Sequence, residues 1–457
     1  MTTTPLLVLN KQALGDPNWH TLLNNNFDKL DAAYGSFGHI NVKNPGGGLT
    51  AAVGDGTTDD TSAIQAILNA VGSLGGRVFF PVGAYKITSV LTVASPSTML
   101  LGAASYGIVD VTVSPMPGAV LKWGGSAGGT VLKFAPATGA GNPALKRPGL
   151  RDLSIDGNNV AAIGLQLLSC QYGCFENIWI TECTTACLDT NVVTPLGEVT
   201  TTSRNVFSNI IARNINATSG IGIRLDGTGD PNTTSNMFHN VYLVAKDASA
   251  LQLGNADANT FINFHADRVA AGIGKGIELK AGSTSVRVAR NNQFFNCSAG
   301  AGGVLARGTP SDTSPSRDNW LYGYNTDQAS GEPAIETGST LSYLDSFGKL
   351  QMTVAAVLKI SGSARRATTE GTSHLDIFDG TAPVGALAGG ISLYSTSGEL
   401  RVMDAAGNAT LLSPHDRQGR WIFDSVDGKT GRHLRIDVEQ LLRIVNERFG
   451  LDCIREI

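Results

Sequence analysis

Charge is scarce in this chain. Only 16% of its 457 residues are Asp, Glu, Lys or Arg, too few for an architecture of long solvated helices. What charge there is nearly cancels: 34 Lys and Arg against 38 Asp and Glu give a formal net charge of −4. That balance excludes a broad electrostatic attraction for nucleic acid or anionic lipid, and leaves a neutral or modestly acidic glycan as a compatible partner. Long apolar runs are missing as well. No stretch approaches the ~18–20 apolar residues of a membrane-spanning helix, and Met1–Asn10 lacks a cationic stretch followed by an apolar core, so neither a membrane span nor an export signal is expected.

Cysteine is too sparse, at six residues, for a disulfide scaffold. Four of the six, Cys170, Cys174, Cys183 and Cys187, form a C-x3-C…C-x3-C pattern. Zinc is the sharp reading of that spacing. Packed free thiols are favoured, because structural zinc sites use pairs placed on turns and these cysteines fall in expected strands. No metal and no cofactor is expected.

What is abundant is glycine, with 55 residues, in a chain that is 42% hydrophobic with a mean hydropathy of +0.02. Such a chain can bury a large core through many short strands and tight turns. Near the start, Asp16-Pro17 opens one amphipathic helix with Trp19, Leu22, Leu23, Phe27 and Leu30 on its apolar side. A stripe this short needs a partner surface to bury against.

The most specific segment follows: Asp55-Gly-Thr-Thr-Asp-Asp-Thr61, then Ala63-Ile-Gln-Ala-Ile-Leu68, then Gly75-Gly-Arg-Val-Phe-Phe-Pro81-Val-Gly-Ala-Tyr85. Asp59 or Asp60 is placed to cap a helix with Ile64, Ile67, Leu68 and Val71 on its buried face. Gly75-Gly76 ends it, and Val78-Phe-Phe and Tyr85-Lys-Ile-Thr read as short strands either side of a Pro81–Gly83 turn.

A repeat appears downstream. Phe-x-Asn recurs as Phe175-Glu-Asn177, Phe207-Ser-Asn209, Phe238-His-Asn240, Phe261-Ile-Asn263 and Phe294-Phe-Asn296, spaced by 32, 31, 23 and 33 residues. A second motif ending in Leu follows each of the first four, at Leu188, Leu225, Leu253 and Leu279. A fixed short motif at a variable spacing is the pattern of a solenoid, in which each coil repeats its strands while its loops vary. Phenylalanines then stack inside, and the Asn side chains bond along the stack and satisfy turn backbone.

Together, residues 55–85 resemble the opening segment of the pectate-lyase-like superfamily, which includes phage tail spikes, polygalacturonase relatives and polysaccharide lyases. The resemblance implies a right-handed, single-stranded parallel β-helix, with a helix capping its open end and Asp55, Asp59 and Asp60 in structural roles. The segment from Trp19 to Asp31-Ala-Ala is similar to the start of phage tail appendage proteins, implying a virion-tail location and a contact with other tail proteins. A homotrimer is implied in the same way. The expected organisation is an N-terminal segment 1–44, a β-helix 45–340, a β-rich region 341–413, and a hairpin with a helix over Leu434–Asn446 in 414–457, whose apolar stripe serves self-association.

Counting from each repeat Asn, positions +1 and +3 face inward and +2 and +4 outward. The outward set contains Trp179, Arg213, Tyr242, His265 and Asp267. An aromatic strip of Trp179, Tyr242 and His265 offers flat faces to sugar C–H surfaces. Asp189 after Leu188 and Asp226 after Leu225 occupy equivalent places on adjacent coils, ~4.8 Å apart, which suits a retaining carboxylate pair. The plainer reading makes both Asp residues turn formers. Elimination is the rival chemistry, with Tyr242, His265, Arg213 and Arg268 as base and charge stabiliser. The polygalacturonase motifs Asn-Thr-Asp, Asp-Asp and Gly-His-Gly are missing from the expected region, which argues against pectin hydrolysis. The expectation is therefore a tail-spike protein that binds a bacterial surface polysaccharide and cleaves it, by hydrolysis first and elimination second, with binding alone or a purely architectural role as further alternatives.

Overall fold

The computed structural model describes residues 39–351 and 381–452, interrupted at 73–74, 106–117, 138–143, 191–200, 216–218, 227–232, 269–274, 282–287, 301–302, 309–314, 327–332, 337–338, 346–349, 398, 413–414 and 416–418, together with 2–3, 10–11, 17–18, 20–21 and 23–27. The chain forms two compact units, Met1–Ala355 and Ala356–Ile457. Within 23–27 the backbone is helical with Leu23 and Phe27 exposed, whereas Trp19, Leu22 and Leu30 lie outside the described residues.

The first unit is a parallel β-helix. Nine short strands, among them Ile163–Leu167, Ala186–Asp189, Ile221–Leu225 and Leu251–Leu253, stack in parallel as one sheet, and a second, 17-stranded sheet runs through the longer strands. Four of those long strands set the frame: β1 (Cys174–Thr181), β2 (Val206–Asn214), β3 (Met237–Ala245) and β4 (Thr260–Arg268), each in parallel register with the next. The helix Thr61–Ala70 packs Ile64, Ile67 and Leu68 onto the core. Asp60 stands at its N-cap position but makes no cap bond; its carboxylate accepts the backbone N–H of Val53 at 2.6 Å and Gly54 at 3.0 Å. The neighbouring Asp59 accepts the Thr61 N–H at 3.0 Å. Asp55 closes its own loop by accepting the N–H groups of Thr57 and Thr58.

Inside the coils the five repeat phenylalanines form one continuous column. Phe175, Phe207, Phe238, Phe261 and Phe294 stack with ring centroids 4.9, 4.4, 4.9 and 4.5 Å apart and ring planes within 12°. They pair residue for residue because the strands are parallel and in register. All five are buried. The inward positions +1 and +3, Ile178/Ile180, Ile210/Ala212, Val241/Leu243 and Phe264/Ala266, join them in the core.

The repeat asparagines form the expected ladder, on the outside of the coil. Asn177, Asn209, Asn240, Asn263 and Asn296 all take φ between 49° and 54°, a left-handed bend that Asn tolerates better than other side-chain-bearing residues. Each Nδ2 donates to the Oδ1 of the preceding coil, at 2.7–3.2 Å. The row ends on Asp152, which accepts from Asn177 at 2.8 Å, and on Gly323, φ 63°.

A second ladder lies inside and was not read from the repeat. Asn205, Asn236, Asn259, Asn292 and Asn319, two residues before the aromatic or Leu of each motif, are fully buried. From Asn236 onward each carboxamide oxygen accepts both the backbone N–H and the side-chain Nδ2 of the Asn one coil earlier, at 2.9–3.1 Å, and the Asn205 oxygen accepts the Gly173 N–H at 2.7 Å. The residue before each, Arg204, Ser235, Ala258, Asn291 and Asp318, is again left-handed. The full motif is therefore Asn-x-Phe-x-Asn, with one amide inside the turn and one outside.

In the second unit, strands Ser392–Thr396, Glu399–Met403, Ala409–Leu411, Ile422–Val426 and His433–Asp437 form one antiparallel meander followed by the helix Val438–Phe449. Pairing of Ala409 with Val426 carries this sheet across the boundary expected at 413/414. The helix begins four residues later than the apolar pattern implied, because Leu434 and Ile436 belong to the hairpin and Asp437 caps the helix, accepting the Gln440 N–H at 2.9 Å. No residue of this helix is buried; Leu441, Ile444 and Phe449 are exposed, as are Trp421 and Phe423 on the sheet.

The two ladders differ in burial, and their removal is expected to differ in cost. Phe238→Ala is expected to cost ~3–5 kcal/mol by opening the column. Asn259→Ala, which strands the buried Asn236 donors and takes a donor from Asn292 Oδ1 and the Thr233 carbonyl, should cost about 1–3 kcal/mol, and Asn263→Gly, at an exposed left-handed bend, below about 1 kcal/mol. Denaturant unfolding of the three variants checks the order; equal losses for Asn259→Ala and Asn263→Gly would remove the distinction.

Candidate functional site on the outer face of the long strands

Past the outer Asn bend, each long strand alternates inward and outward residues, so register fixes which outward side chains are neighbours. One column reads Ser154, Trp179, Ile211, Tyr242, His265 and Ser298 on successive coils. The next reads Asp156, Thr181, Arg213, Val244 and Asp267. Five of the seven residues singled out in the sequence therefore share one face.

Tyr242 and His265 are adjacent in their column and stack in parallel, centroids 5.1 Å apart and planes at 5°. Both are partly exposed. His265 Nδ1 bonds the Ser298 hydroxyl, and its Nε2 stands 3.9 Å from Asp267 Oδ2. Burial, and then the charge of Asp267, push the Tyr242 phenol above its ordinary value, against the opposing pull of the Arg213 guanidinium. Arg213 buries one guanidinium nitrogen without a hydrogen-bond partner. Phenol, imidazole, carboxylate and guanidinium thus meet on three adjacent coils. The Arg268 side chain lies outside the described residues.

Trp179 departs from the expected strip. It stands in the same column, but Ile211 separates it from Tyr242 and it is only 4% exposed, so its ring face is not offered to solvent. Its ring instead helps wall a cleft of about 440 Å³, with Asp152, Asn177, Asn209 and Ile211 around it. The outer amide ladder supplies part of that cleft's lining.

The expected Asp189/Asp226 pair is not formed as an aligned pair. Leu188 pairs with Ile223, not Leu225, so Asp189 faces Arg224 and Asp226 lies two residues beyond. Asp189 is 1% exposed and accepts two hydrogen bonds from Arg224, at 2.9 and 2.7 Å. Asp226 accepts the Asn255 N–H at 3.0 Å and lies 3.6 Å from Lys280. Two carboxylates out of register and each beside a cation do not present the facing pair that a retaining mechanism uses.

Of the four clustered cysteines Cys183 and Cys187 are in contact, but among the described residues no three His, Cys, Asp or Glu side chains come together as a metal site would need. Cys174 is exposed while Cys170, Cys183 and Cys187 are buried. Cys170 approaches the Phe134 carbonyl, Cys183 the Thr181 carbonyl and Cys187 the Asn214 carboxamide oxygen. Burial raises the Cys170 thiol well above its ordinary value, which keeps it protonated and inert.

With this geometry in place, comparison with known proteins is informative. Residues 40–302, more than half of the chain, match the family model described as Rhamnogalacturonase A/epimerase, pectate lyase-like. The chain belongs to this family. No curated protein matches it in sequence. Among solved structures, the pectate-lyase-like chain is similar to ORF18 of Geobacillus virus E2, at 16% identity and a TM-score of 0.53 over 93% of this chain and 80% of that one. The alginate lyase of Paenibacillus sp. str. FPU-7 aligns with 62% of this chain and 91% of its own, at 13% identity and a TM-score of 0.45. The pre-mature bacteriophage phi29 gene product 12 aligns with 71% of this chain and 54% of its own, at 13% identity and a TM-score of 0.36. At these identities the likenesses concern the fold.

Because Arg224 would be left buried without its partner, Asp189→Asn is expected to lower stability by on the order of 3 kcal/mol, and not to act on turnover alone. Thermal unfolding of the variant checks this. An unchanged midpoint would return Asp189 to the list of candidate catalytic groups.

Proposed function

We propose that this pectate-lyase-like protein binds an acidic bacterial surface polysaccharide along the outer face of β1–β4 and cleaves it there by β-elimination. The observation that carries the reading is the Tyr242–His265 stack with Asp267 and Arg213 beside it. Elimination from a uronate needs a base for the proton next to the carboxylate, a cation for the developing enolate, and a proton donor for the departing oxygen. With Nδ1–H given to Ser298, His265 presents the Nε2 lone pair and takes the proton. Arg213, on the adjacent coil and close enough to act on the Tyr242 phenol, supplies the positive charge for the carboxylate. Tyr242, whose raised pKa keeps the phenol protonated, donates to the leaving oxygen. Asp267 holds the imidazolium formed in the first step.

Hydrolysis by Asp189 and Asp226 finds less support, since each carboxylate is engaged by a cation. The virion-tail location draws on the fold likeness to a virus protein over 93% of the chain, and contact with other tail proteins falls to the N-terminal segment. Assembly as a homotrimer draws on the apolar residues that the second unit leaves exposed, which a second copy of the same unit can cover.

Two experiments test these readings. Purified protein acting on uronate-containing capsular and exopolysaccharides should generate the ultraviolet absorbance of an unsaturated sugar. His265→Ala and Tyr242→Phe should each lower kcat by about 10²–10⁴-fold with the fold intact. New reducing ends without that absorbance would overturn elimination and point to hydrolysis. Light scattering should give about three times the 47.6 kDa chain mass; a monomer at micromolar concentration would sink the trimer.

A further inference from the structure

The corner of the coil that leads into the long strands gathers cations around one aromatic ring. Arg147, Tyr172 and Arg204 occupy equivalent left-handed corner positions on three successive coils, with φ of 52°, 59° and 57°. Their alignment follows from the pairing of Lys146 with Gln171 and of Gln171 with Ser203. Tyr172 is half exposed. The Lys146 ammonium lies 5.5 Å from its ring centroid and the Arg204 guanidinium carbon 5.6 Å. Arg204 Nη1 also donates to the Tyr172 hydroxyl at 3.1 Å, and Lys146 Nζ bonds the Gln171 side chain. Arg147, Lys146 and Arg204 are all exposed.

Several other arginines of the β-helix are matched by acids: Arg151 by Asp152 and Glu176, Arg224 by Asp189, Arg290 by Asp257, Arg307 by Glu278 and Glu336. Among the described residues no carboxylate pairs with Lys146, Arg147 or Arg204. Two like charges are therefore held 5.5 and 5.6 Å from one ring, with the exposed Arg147 on the coil before, in a chain of net negative charge, and both are fixed by side-chain hydrogen bonds. Fixed donors without an acid are suited to an outside anion, since little side-chain freedom remains to be lost on binding.

We propose that this corner is a second glycan site, which captures the anionic groups of an acidic polysaccharide away from the His265 centre. Two coil repeats of ~4.8 Å each set Arg147 and Arg204 in a row along the helix axis, with Tyr172 between them. A row suits a polymer carrying carboxylates or sulfates on successive sugars better than a single small ion. The exposed Tyr172 ring supplies the apolar face for a sugar's C–H side. The inference takes from the proposed function only that the ligand is a glycan; it needs no cleavage.

The test is affinity electrophoresis of the full chain in gels containing polygalacturonate, heparin or neutral dextran, with a single-stranded oligonucleotide as a competitor. Retardation by polygalacturonate or heparin, absent in dextran and weakening as salt is added, is expected. The double variant Lys146→Gln/Arg204→Gln, unchanged in thermal midpoint, should bind about tenfold more weakly. Tyr172→Ala should weaken the glycan gels too. Wild-type affinity in the double variant, equal retardation in dextran, or full displacement by the oligonucleotide at equal charge would overturn the assignment. His265→Ala should keep its retardation. A protein that is retained through this corner yet cleaves none of the polymers would leave the inference standing and remove the cleavage reading instead.

Discussion

Each coil of the helix turns twice through a left-handed residue, and at each turn an amide takes up the hydrogen bonds that the bend leaves open. Asn205, Asn236, Asn259, Asn292 and Asn319 do this inside, and Asn177, Asn209, Asn240, Asn263 and Asn296 outside. A buried turn without such a partner would strand backbone N–H groups at a cost of a few kcal/mol each. Because each amide bonds the equivalent amide on the next coil, the turns also fix register. The Phe column, the outward columns and hence the Tyr242–His265 stack all follow from that one-to-one alignment.

The proposed chemistry depends on the same constraint. Residues 23 apart in sequence, Tyr242 and His265, become stacked neighbours only because Asn240 and Asn263 sit side by side. Arg213 and Asp267 reach the same face from coils on either side. Rigid strands hold these groups, so little reorganisation accompanies binding.

Much of this was legible in the sequence, and the exceptions have a common cause. The Phe column could be read because the motif is fixed and the ring is large. The inner asparagines stood in the same motif, two residues upstream of each ring, but at a spacing that looked like ordinary turn composition. Asp189 and Asp226 misled because Ile221-Gly-Ile-Arg-Leu225 alternates apolar residues, and a slip of two keeps the inward pattern intact. Only the ladder decides that Leu188 meets Ile223. Trp179 was placed in the right column, but it is buried and shares its cleft with the Ala103–Ser105 segment, some 75 residues earlier in the chain. The late start of the C-terminal helix reflects an amphipathic run that fits a strand and a helix equally well until Asp437 is seen to cap.

The two amide ladders point in opposite directions. Outside, every Nδ2 donates toward the N-terminal end, and the row ends on an acceptor, Asp152; inside, the amide-to-amide bonds run toward the C-terminal end, while the same Nδ2 groups also donate to a backbone carbonyl on the coil before. A coil duplicated between Asn209 and Asn263 would accept and donate in both senses and leave no bond unmade. One added beyond Asp152 would meet a carboxylate that has no proton to give. An added coil is therefore accommodated at least cost in the middle of the stack, beside the Tyr242–His265 face.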